Sequence, residues 1–250
     1  MVKEFFFSME LVYFSFRQMF HPGVWSPSQR QIFAQQIFFT GYQGFPLIAM
    51  IAFILGNLFV FVCLSLSIAQ LELTLPVMTT LLIREVSPLL ISLLVIARSG
   101  TAVATEIGNM RANLEISALE SMGIQPLRFV VLPRIFSGVL SCSLLHIFFC
   151  FLALIFGSGA FVLGTERTLN FYFSQTLLNL SGNEIWISIF KILLSAILIF
   201  MTSCYAGLSV KKGLHEVPFR TTQAVVRSMV LVIFFQSAVT AITLFEGILW

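Results

Sequence analysis

Residues 44–69 read GFPLIAMIAFILGNLFVFVCLSLSIA, 26 residues without a charge. A bilayer-spanning helix needs about 20 consecutive apolar residues. A second uncharged run, Ile135–Thr165, is longer still. Strands of a membrane barrel are short and alternate in polarity, so runs of this length exclude a barrel. The composition agrees. Of 250 residues 58% are hydrophobic and 10% charged, and the mean hydropathy is +0.98. A soluble domain carries about 25% charged residues, and one of this size could not bury so much apolar surface. The chain is expected to be an all-α integral membrane protein.

Working outward, five spans are expected, at about 44–69, 77–104, 133–162, 185–209 and 224–246. Before them, residues 3–20 place Lys3, Glu10 and Arg17 seven apart among Phe and Met, which predicts an amphipathic helix lying in the membrane surface. Pro22, Gly23 and Pro27 break it, and residues 28–43, with Gln31, Gln35, Gln36 and Gln43, predict a second interfacial stretch. The expected organisation is an interfacial segment over 1–43 and a five-helix domain over 44–250. With the N-terminus cytoplasmic, Lys3, Arg17, Arg30, Arg111, Arg128, Arg134, Lys211, Lys212, Arg220 and Arg227 fall inside and only Arg167 outside. The positive-inside rule therefore predicts a cytoplasmic N-terminus and an outer C-terminus.

Several function classes drop out. Asp is absent and all 11 acids are Glu, so no chemistry built on an Asp pair is possible. No G-x-x-x-x-G-K-[ST] loop occurs, so the chain cannot hydrolyse ATP in the usual way by itself. Cys63, Cys142, Cys150 and Cys204 form no C-x-x-C pair, and His21, His146 and His215 are scattered, so no catalytic or metal-binding set is expected. The basic loop 211–220 is short and reads as a topology determinant, not a nucleic-acid patch.

Arg84, Glu85, Arg98 and Lys191 fall within spans. Each charge at a helix centre costs roughly 2.5–3.5 kcal/mol on insertion scales, so such residues seek a cavity or a partner. Neighbours on an α-helix diverge by about 100°, so Arg84 and Glu85 are not expected to pair with each other. Lys191 is the cation in another span suited to Glu85. A structural ion pair and a polar point in a substrate path both remain open, and Pro88 favours a kink one turn after Arg84. In 105–127, Met110, Leu114, Ala118 and Met122 recur every four residues, predicting one amphipathic cytoplasmic helix over about 106–123, ended by Gly123. A surface helix on the bilayer and a docking helix for a partner both fit.

Residues 97–134, ARSGTAVATEIGNMRANLEISALESMGIQPLRFVVLPR, resemble the signature of the MlaE/YrbE family, permease subunits of MCE-associated ABC transporters that move phospholipid between bacterial membranes and have plastid relatives. The resemblance extends to LLIREVSPLL (81–90), FKILLSAI (190–197), CYAGLSVKKG (204–213) and TTQAVVRSMV (221–230). It departs at Glu216-Val217-Pro218, where a G-V-G-like step is usual, and at Gln236, where an acid is common. It implies a homodimer in the bacterial inner membrane, with a lipid cavity between the copies that opens outward. Arg84, Glu85, Lys191, Leu64 and Ile68 would line that cavity. It also implies a cytoplasmic ATPase subunit, holding ATP and Mg, docked through Glu106, Ile107, Gly108, Met110, Arg111, Leu114, Glu115 and Glu120, and a periplasmic MCE-domain partner. No cofactor is expected in this chain. A same-fold permease for another hydrophobic substrate such as a sterol, a lipid-modifying enzyme and an ATPase scaffold are the competing readings.

Overall fold

The computed structural model describes residues 27–66, 71–165, 167–178, 180–211 and 213–249. The amphipathic helix expected over 3–20 lies outside them, as do Ile68 and Lys212. Every regular element among the described residues is a helix. Among the described residues, five segments are long and apolar enough to cross a membrane: Arg30–Ser65, Leu71–Ala112, Leu127–Gly164, Gly182–Leu208 and Leu214–Thr243. We refer to them as the first to fifth spans. Their outward faces carry exposed Phe53, Phe61, Phe151, Trp186 and Phe234, as lipid-facing surface should.

The expected boundaries shift in two places. Residues 28–43 continue into the first span: the helix Pro27–Ile37 runs through a π-helical turn, Phe38–Tyr42, to the helix Phe45–Leu66, and the helix Pro27–Ile37 packs on the third span. The second span does not end near Ala104. It stays helical to Ala112 through two further π-helical turns, Leu82–Val86 and Ile96–Gly100. Prolines explain part of this irregularity. Pro76 and Pro88 lack the N–H that would continue the helix ladder, and the turn around Arg84 and Glu85 widens just before Pro88.

Hydrophobic burial does not drive helix association in lipid, so close packing must. Gly56 of the first span lies under the Ala153 carbonyl of the third. On the same contact, a Cβ at Gly157 would stand 3.2 Å from the Gly56 carbonyl. The fourth span is the centre of the bundle, in contact with the second, third and fifth. Its Gly207 backs onto the second, where a Cβ would meet the Ala104 carbonyl at 2.8 Å. Ile192, Ala196, Ile199 and Phe200 are wholly buried there, with Ile91, Ile96, Ile107 and Phe149 around them.

Candidate charged site within the spans

In an α-helix the N–H of residue 88 would bond the carbonyl of residue 84. Pro88 has none, and Lys191 Nζ of the fourth span donates to the Arg84 carbonyl instead, at 3.4 Å. Lys191 Nζ also donates to Glu85 Oε2 at 2.7 Å and to Thr240 Oγ1 of the fifth span at 2.9 Å. Thr240 Oγ1 donates to the same Glu85 oxygen at 2.6 Å. Lys191 is completely buried. An ammonium has three donors and no acceptor, and these three oxygens match them.

Arg84 lies on the same turn. Its Nη1 reaches both oxygens of Glu184 at 3.0 and 3.2 Å, and its Nη2 donates to Thr243 Oγ1 at 2.6 Å. Arg84 Nε stands 3.2 Å from Glu85 Oε1, without the alignment of a hydrogen bond. The two neighbours therefore do contact each other, contrary to the α-helical expectation. A π-helical turn holds more residues than an α-turn, so the angle between adjacent side chains is smaller. Two cations and two carboxylates from the second and fourth spans thus close into a neutral group, buttressed by two threonines of the fifth.

A polar seam continues inward. Gln236 Nε2 lies 3.2 Å from the Pro88 carbonyl, 3.3 Å from Ser92 Oγ and 3.0 Å from Ser195 Oγ. Beside it, His146 of the third span lies 2.6 Å from Ser188 Oγ and 3.2 Å from Ser87 Oγ. The seam joins four spans through buried polar contacts. Substituting Gln236→Leu is expected to lower stability by about 1–3 kcal/mol, the cost of orphaned buried partners; a thermal melt of the detergent-extracted protein reads it.

Leu64 packs beside Gly164, in a separate apolar cluster with Val60, Cys63, Leu71, Leu75 and Phe161. The structure brings Arg84, Glu85 and Lys191 together and leaves Leu64 out of that group. Glu184, Thr240 and Thr243 were not expected on the sequence. Glu184 stands at the very start of the fourth span and reads as loop, and hydroxyls carry no hydropathy signal.

At the opposite end of the second span, the single helix expected over 106–123 is two. The helix Thr101–Ala112 stops, Leu114 adopts a left-handed backbone with φ of 62°, and a short helix spans Glu115–Ser121. The four-residue stripe does not share one buried face. Leu114 and Met122 are 68% and 66% exposed, and Ile116 is the buried anchor. Ile107 is buried and Gly108 faces Val210 and Val217. Glu106 accepts from Arg134 Nη2 at 2.6 Å, Arg134 Nη2 lies 4.0 Å from Met110 Sδ, and Arg111 stands 3.9 Å from Glu120. Leu114, Glu115, Glu120 and Met122 are left on an outward, partly apolar surface.

Residues 33–242 match the family described as Permease MlaE. The chain belongs to the MlaE permease family. Similar proteins include a probable ABC transporter permease protein of Rickettsia conorii, 26% identical over 86% of this chain and 83% of the relative. A probable ABC transporter permease protein of Synechocystis is 30% identical over 68% of this chain and 65% of its own length. The intermembrane phospholipid transport system permease protein MlaE of Haemophilus influenzae is 44% identical over a shorter stretch, 27% of this chain and 26% of that protein. As a multi-pass MlaE-family permease, the chain holds its charged group inside its spans, where such charges are expensive and mark function or helix orientation.

Proposed function

We propose that the chain is the membrane subunit of an ABC transporter that moves phospholipid between the bacterial inner membrane and the periplasmic side, as a homodimer driven by ATP and Mg in a separate ATPase subunit. A periplasmic MCE-domain protein would pass the lipid on. The observation that carries this reading is the four-charge group of Arg84, Glu85, Glu184 and Lys191 set among apolar spans. A diacyl lipid needs apolar surface for its tails and a few fixed polar groups for its headgroup. Arg84 and Glu184 are both partly accessible, at 15% and 22% of their side-chain surface. A lipid phosphate would displace Glu184 from the guanidinium, whose planar fork suits a phosphate as well as a carboxylate. Lys191, sealed beneath, keeps Glu85 from following.

The outward surface at Leu114, Glu115, Glu120 and Met122 would receive the ATPase. Its acidic character suits a protein partner better than an anionic bilayer, which favours basic helices. Leu114→Asn tests this without disturbing the backbone, since Asn adopts the left-handed region more readily than Leu. Paired with Met122→Asn, it removes the apolar contacts. The expected result is an at least tenfold weaker ATPase association, about 1.4 kcal/mol, with an unchanged melting temperature of the permease alone. Unchanged association would remove this surface from the docking role.

The reading as a whole is tested by extracting the tagged chain gently from its native membrane and identifying the co-purifying proteins and lipids by mass spectrometry. An ATPase, an MCE-domain protein and phospholipid are expected. A chain that purifies without an ATPase would overturn the transporter reading.

A further inference from the structure

At the far end of the second span from Arg84, a cavity of about 710 Å³ opens between the segment 32–43 and the bases of the second and third spans. Its size lies within the range of small-molecule sites, roughly 300–1,000 Å³. Its walls are apolar at Ile32, Phe38, Phe39 and Val103, and polar at Gln35, Arg134 and the carboxylate of Glu106. We propose that this cavity is a second binding site, for a phosphate-bearing amphiphile, with Arg134 as the headgroup contact and the Phe38–Phe39 wall as the tail contact.

Three observations support it. The Arg134 side chain is only 4% exposed, yet among the described residues its Nη1 has no hydrogen-bond partner and its one ionic contact is Nη2 with Glu106. A buried guanidinium with unused donors is costly until an anion meets it. The Glu106 carboxylate is 59% exposed, so water screens it and it cannot by itself neutralise the site. A second cation adds to the field. Arg98 Nη2 donates to Gln43 Oε1 at 3.1 Å and its guanidinium stacks over the Phe39 ring at 5.2 Å, and both Gln43 and Phe39 line the cavity. Among the described residues, two arginines against one carboxylate leave one net positive charge. Arg84 and Glu106 are 22 residues apart on one span, roughly 30 Å along its axis, so this site is separate from the charged group and does not depend on the transport reading.

The test uses the full chain in its extracted native complex. Photoactivatable phosphatidic acid, with the diazirine on an acyl chain, is compared with a photoactivatable diacylglycerol of the same tails. Inorganic phosphate serves as the competitor. Phosphatidic acid is expected to label peptides covering 32–43 and 102–106 about tenfold more than diacylglycerol, one charge-assisted contact's worth. Ala102→Trp, which fills the cavity and leaves every charged residue in the sequence, and Arg134→Gln should each remove that excess. Equal labelling by the two probes, or labelling that Ala102→Trp leaves unchanged, would overturn the proposal. Inorganic phosphate that binds while neither lipid labels these peptides would overturn its amphiphile part.

Discussion

Lys191→Met is expected to unseat the charged group and stop lipid transfer. Lys191 is fully buried and supplies Glu85 with its ammonium partner. Its removal leaves the carboxylate with Thr240 and an imperfectly aligned Arg84. Removing one partner of a buried ion pair costs about 3–5 kcal/mol, because the other charge stays behind. The single variant should therefore melt well below the parent. Glu85→Gln combined with Lys191→Met removes both charges and should recover most of that loss. If the pair only orients helices, the double variant should also recover transfer. If the charges act on lipid, stability returns and transfer does not. A single variant that melts and transports like the parent would exclude both roles.

The second large effect is expected at Gly56. A Cβ there would collide with the Ala153 carbonyl, and backbone cannot rotate away as a flexible side chain can. Gly56→Leu should push the first and third spans apart and cost about 3 kcal/mol or more, the upper range for overpacking. Loss of the full-length chain from the membrane fraction is the readout. Gly159→Leu is the matched control, since a Cβ at Gly159 meets nothing within 4 Å; it should leave the amount of folded chain unchanged. Equal tolerance of both substitutions would disprove the close crossing.

The five spans were legible in the sequence because the bilayer imposes length and apolarity on each segment independently of its neighbours. Glu85 and Lys191 were legible as partners because charges in apolar runs have few opposites to choose from. The Arg84–Glu85 contact was not, because it depends on a π-helical turn that the residue spacing does not announce. Thr240 and Thr243 were hidden for a different reason. A hydroxyl becomes a partner only once packing brings it to a charge, and one chain gives no packing. The segment 106–123 misled because a four-residue apolar spacing fits one continuous helix, whereas the chain breaks it at Leu114, a residue type that seldom adopts positive φ. Arg134 with Glu106 left one usable signal: an arginine just after Pro133 at the start of an uncharged run, facing the end of the preceding span. Gln236, which departs from the family's habit, still fills a bonding position between three spans.

We propose that this chain carries phospholipid under the control of a partner ATPase. This is tested most directly by reconstituting the purified complex in proteoliposomes with a fluorescent phospholipid and measuring transfer to acceptor, with and without ATP and Mg. Transfer is expected to require ATP, to be lost in the double variant of Glu85 and Lys191, and to be lost when Leu114 and Met122 are both replaced. Transfer at the parental rate without ATP, or in the double variant of Glu85 and Lys191, would contradict it.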